Sequence, residues 1–87
     1  MTNRPMIENW HVTKEKKIFG YVFNHPTLAN GKPMVTSTIQ HVEIENGVTF
    51  AYTANSKYEL GEANAQYAAQ FENCHDDVAK LFSKEMV

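Results

Sequence analysis

The sequence predicts an α+β fold: a twisted antiparallel sheet of four or five strands, a meander partly rolled toward a barrel, with one C-terminal amphipathic helix. Three observations carry this prediction. Short segments up to Leu60 are rich in β-branched and aromatic residues with strand-like alternation. Asn, Gly and Pro punctuate them. From Glu62 the apolar period changes to steps of three and four. The 87 residues suffice for one domain only, since half that length could not bury a useful core without disulfides or metal.

Residues 1–6, with Arg4 and Pro5, read as a short arm, and residues 7–60 as the β-meander. The segments "MIENWHV" (6–12), "KKIFGYVF" (16–23), "MVTSTIQHVEIE" (34–45) and "VTFAYTA" (48–54) are the strands, with "KYEL" (57–60) a short fifth. At "ENG" a two-residue Asn46-Gly47 turn would set Glu45 opposite Val48 and Glu43 opposite Phe50. A three-residue loop, Glu45-Asn46-Gly47, pairs Ile44 with Val48 and Val42 with Phe50 instead, and is the expected form. That register leaves Ile39 on the face opposite Val42 and Ile44, which calls for a second bulge near Gln40 or for cover on both faces. Tyr67, Phe71, Cys74, Val78 and Leu81 line one face of a single helix over 62–82, about five turns long, followed by a tail at 83–87. The expected core is Trp10, Val12, Ile18, Val22, Val42, Ile44, Val48, Phe50, Tyr67, Phe71, Val78 and Leu81.

Eight Lys plus Arg against ten Asp plus Glu give a formal charge of -2, which argues against non-specific binding to a phosphate backbone. One cysteine excludes an intramolecular disulfide and fits a reducing compartment. The first residues lack the regions of a signal peptide and no apolar run approaches membrane-spanning length, so a cytoplasmic protein without membrane contact is expected. A core this small supplies only about 3–5 kcal/mol, which favours a homo-oligomer.

No catalytic signature emerges. His11, His25, His41 and His75 are scattered, and Cys74 and His75, adjacent on a helix, diverge by about 100°, so no metal or other cofactor is expected. Cys74 lies on the apolar stripe and is expected to pack rather than react. Asp76 and Asp77 point apart, and neither "GxxxxGK" nor "GxGxxG" occurs.

The stretch "NHPTLANGKPMVTST" (24–38) is the most promising recognition element: an ordered polar loop with two prolines and Asn30-Gly31, followed by three hydroxyls. His25, Lys32, Thr36, Ser37 and Thr38 are expected to converge at one end of the sheet with Lys57 and Tyr58, as a site for a protein surface or a small anionic ligand. The alternative, a small β-domain binding single-stranded nucleic acid, rests on Lys14, Lys16 and Lys17 beside Phe19 and Tyr21, but Glu15 interrupts the lysines and the net charge is negative, so nucleic acid is not the expected partner.

The order "W-x-V … G-x-V-F-x-H-P-x-x-x-x-G-x-x-x-x-T-S-x-I … Y-x-L-G", from Trp10 to Gly61, resembles small uncharacterised proteins encoded by tailed phages and prophages. The resemblance covers the β part of the chain and transfers no functional residue. It implies a setting, the cytoplasm of an infected bacterium, and a non-enzymatic accessory that sequesters or blocks a host factor, including a defence factor, or an anionic nucleotide-like signal.

Overall fold

The computed structural model of the protein describes residues 4–82. Its strands are β1 (Met6–Val12), β2 (Ile18–Phe23), β3 (Lys32–Val35), β4 (His41–Glu45), β5 (Val48–Tyr52) and β6 (Lys57–Leu60), followed by the helices α1 (Ala65–Ala68) and α2 (Cys74–Leu81). They form one six-stranded sheet in the order β3-β2-β1-β6-β5-β4. The α+β class is as expected, but the sheet is not one meander. Two antiparallel three-stranded meanders, β1–β3 and β4–β6, join along a parallel seam where Met6 pairs with Glu59 and Ile7 with Leu60. "KYEL" is therefore a central strand, and β1 has the bounds expected of "MIENWHV". The expected tail at 83–87 lies outside the described residues.

The sixth strand arises because the expected strand 34–45 is divided between the two sheet edges. The Thr36 N–H still donates to Ile18 O on the β2 side (2.9 Å), whereas the Gln40 N–H donates to Tyr52 O on the β5 side (2.7 Å). Four residue steps reach at most about 14 Å, while five strand spacings in a flat sheet need about 24 Å. The sheet must therefore curl until its edges nearly meet, although β3 and β4 do not pair and the sheet stays open. Ile39, on this link, is freed from ladder alternation and turns into the core, anchored by its N–H to Lys16 O at 2.8 Å.

The β4–β5 turn corrects the expected register. Glu45 pairs with Val48, Glu43 with Phe50 and Val42 with Ala51, so the turn has two residues, with Asn46 at φ 51° and Gly47 at φ 79°. Asn-Gly accepts positive φ at both positions, and such a turn matches the twist of the strands. The argument against it assumed a single buried face, but Thr49, Phe50 and Ala51 are all buried. The face carrying Phe50 is covered too, as described below. The Gln40 N–H reaches Tyr52 O one residue out of the His41–Tyr52 register, an irregularity where a second bulge was considered.

Trp10 organises the interior. The β1–β2 register shifts between Glu8 and His11, with Asn9 at φ 54°, so the ring of Trp10 turns inward and is fully buried. Its Nε1–H donates to Gly61 O (3.0 Å), and the edge of His75 meets it at 5.4 Å. A Cβ at Gly20 would overlap Ile7 and crowd Glu8 O and Trp10 Cβ, so glycine is required beneath the bulge. Ile7, Ile18, Ile39, Val42, Ala51, Leu60, Cys74, Val78 and Phe82 complete the core around Trp10. Ile44 (39% exposed) and Leu81 (61%) fall outside it, contrary to expectation, while Val12, Val48, Tyr67 and Phe71 are half-buried.

The expected single helix is two. The Asn64 side chain accepts from the N–H groups of Gln66 and Tyr67 and starts α1, and the Asn73 side chain accepts from the Asp76 N–H and starts α2. Each asparagine satisfies helix donors only by leaving helical geometry itself, and Asn73 (ψ 97°) breaks the run. Among the described residues no helix is long and apolar enough to cross a membrane.

Candidate functional site

The residues singled out at 24–38 do not converge. Lys32 pairs with Val22 at one end of β3, while Thr36 bonds at the level of Ile18 at the other, about 13 Å along the strand. Thr36 is buried and structural: its Oγ1 accepts from the Ile18 N–H (3.0 Å) and donates to Ser37 O (2.7 Å). Ser37 and Thr38 are exposed on the link between the edges. Tyr58 packs against the core, on the face opposite Lys57. His25 holds its own loop. Its Nδ1 accepts from the N–H groups of Thr27 (3.1 Å) and Leu28 (3.2 Å), which places the ring proton on Nε2. The loop is ordered further by Asn30 Oδ1, which accepts from the Asn24 N–H.

Lys57 and His25 nevertheless lie at the same end of the outer sheet face. Lys57 sits opposite Tyr52, which sits opposite His41. The Lys57 Nζ lies 4.4 Å from the Phe50 ring centre and 5.2 Å from that of Tyr52, and the Arg4 guanidinium lies 5.2 Å from the same Phe50 ring. His41 stacks on Tyr52 at 4.3 Å, nearly parallel. Beside this row opens a groove lined by Pro5, Asn24, His25 and Pro26. Acids border the row, since Glu43 and Glu59 flank Phe50 across the strands. Glu43 is engaged with His41 Nε2 at 3.4 Å, and among the described residues no carboxylate lies within 4.0 Å of Arg4 or Lys57. Two cations thus share one aromatic ring, next to a stacked imidazole-phenol pair. Such a surface can hold an anion and a flat ring together. Arg4, His41, Phe50 and Tyr52 were missed from sequence. The signal was Asn46-Gly47, whose two-residue turn brings Tyr52 between His41 and Lys57.

The other half of the outer face carries Phe19, Tyr21 and Phe23, half-buried at alternate positions of β2. Phe19 contacts His11 (5.6 Å) and Tyr21 (5.7 Å) through its ring. Glu8, opposite Tyr21, turns toward the seam, where its Oε1 accepts from the Glu62 N–H at 2.9 Å.

The interior groups are tied up. Cys74 is buried, and burial followed by the nearby Asp77 carboxylate pushes its thiol up, so it stays protonated. Burial and then Cys74 raise the Tyr67 phenol. His75 Nδ1 shares a 2.7 Å hydrogen bond with Thr49 Oγ1. Among the described residues no three His, Cys, Asp or Glu side chains stand close enough to hold a metal ion. Comparison with the models of known protein families, with curated proteins and with solved structures finds no match to this chain.

Proposed function

We propose that the protein is a non-enzymatic binding module that captures an anionic, ring-bearing ligand of the nucleotide kind on the outer face of β4–β6. The observation that carries this is the placement of Arg4 and Lys57 over Phe50 with no carboxylate in ion-pairing range, beside the His41–Tyr52 stack. A nucleobase extends the stack from the His41 side, since Tyr52 already carries His41 on its ring and Lys57 over it, while phosphate oxygens meet the two cations and the His25 Nε2–H across the groove. Capture is the whole activity: the buried Thr36 and Thr49 hydroxyls and the protonated Cys74 are committed to the fold. In the phage setting that the sequence resembles, holding a nucleotide-like signal away from a host factor is sufficient to block it.

Isothermal titration with thymidine and adenosine monophosphates tests this. Binding that weakens with salt and is lost in Lys57→Glu, with an unchanged far-UV spectrum, is the expected result. Equal affinity in Lys57→Glu, or no binding at millimolar nucleotide, rejects it. Mass spectrometry of material co-purified from infected cells separates a nucleotide from a protein target.

A further inference from the structure

We infer that the outer face of β2 is a track for single-stranded nucleic acid, a surface separate from the nucleotide site and sharing only its ligand chemistry. Phe19, Tyr21 and Phe23 point to one face and are half-exposed, although an aromatic run of this kind ordinarily belongs inside. Alternate strand positions are about 6.8 Å apart and the Phe19 and Tyr21 ring centres 5.7 Å, against a rise of roughly 3.4 Å for stacked nucleotides, so successive rings meet successive bases only of a strand drawn out nearly to full extension. On the neighbouring edge strand the outward residue opposite Phe19 is Val35, 53% exposed, which leaves the track open on that side.

Charge selects the occupant. Lys14, Lys16 and Lys17 sit at the turn that feeds β2, with Glu15 as the single acid among them. Among the described residues no carboxylate lies within 4.0 Å of these lysines, and Glu8 is occupied at the seam. The net charge of -2 conceals a division. Residues 1–41 hold five Lys plus Arg against two Glu, whereas residues 42–87 hold three Lys against eight Asp plus Glu. The half bearing the aromatic track is cationic, and the acids that exclude duplex-wide binding lie in the other half. A polymer whose bases are free to stack, with phosphates reaching the lysine turn, fits this arrangement.

Fluorescence anisotropy with an end-labelled eight-nucleotide oligothymidylate and the full chain decides the matter. The oligonucleotide should bind at least tenfold more tightly than thymidine monophosphate and than a duplex of equal length. Tyr21→Ala should weaken it at least tenfold. The pair Lys14→Glu, Lys16→Glu, which changes exposed side chains and keeps the Lys16 carbonyl that anchors Ile39, should weaken it likewise and lessen its salt dependence. Indifference of oligonucleotide binding to both variants overturns the track, whatever mononucleotides do. If the monophosphate binds through Lys57 while the oligonucleotide gains nothing, the track falls and the nucleotide site stands. If the oligonucleotide binds through Tyr21 and no monophosphate binds, the nucleotide site falls and the track stands.

Discussion

The two meanders are built on the same plan and buried differently. In β1–β3 the strand β2 alternates strictly, with Ile18, Gly20 and Val22 buried and Phe19, Tyr21 and Phe23 half-exposed. In β4–β6 the strand β5 is buried through Thr49, Phe50 and Ala51 on both faces, because Arg4 and Lys57 cover its outer side. Cationic side chains with long apolar stems can thus close a sheet face as aliphatic residues would, while keeping charge at the surface. The first half leaves its aromatic face open and the second roofs its face with charge.

The sharpest break comes at Gly20 in the first half, where a Cβ would overlap Ile7 and the Glu8 backbone. Gly20→Val forces Ile7, Glu8 and Trp10 apart and should cost about 3 kcal/mol or more, read as a collapse of the thermal transition. Next, Phe50→Ala should cost about 3 kcal/mol in urea denaturation, because it empties a buried position and strands two cations. Tyr21→Ala should cost clearly less, and equal costs would erase the contrast between the halves. Thr49→Val, which removes the bond to His75, should cost about 1 kcal/mol and loosen α2 from the second half, visible as faster amide exchange in 74–81.

The smallest effect is a pH response. The Cys74 thiol lies above its ordinary value of 9.0 in the folded chain, so folding favours the protonated form. That contribution is complete below about pH 9 and is lost as pH rises through the raised value, with Tyr67 adding the same sense of change above 10.0. Melting curves from neutral to alkaline pH should therefore fall, and Cys74→Ala should flatten the onset of the fall.

What could be read from sequence follows the same division. The strand β2, its inward Ile18 and Val22 and the turn before it were legible because one face is wet and alternation reports it. The β4–β5 register was misread because Phe50 is buried beside Glu43 and Glu59, a pairing that makes sense only once Arg4 and Lys57 arrive from elsewhere in the chain. The helix was misread because Tyr67, Phe71, Cys74 and Val78 keep helical spacing across a break that Asn73 imposes through one side-chain bond. Of the site, Lys57 and His25 were legible as polar residues near turns. Their aromatic companions Phe50 and Tyr52 were assigned to the core or passed over as ordinary strand residues.

The parallel seam also orders events in time. Each meander closes through connections of two to eight residues, whereas the seam joins partners such as Trp10 and Gly61, 51 positions apart. Closing a loop of that length costs about 2 kcal/mol more chain entropy than closing a four-residue turn. Chain entropy therefore favours zipping each half first and closing the seam last. Until it forms, the edges of β1 and β6 are unpaired, and the newly made chain is exposed to wrong partners along those two strands.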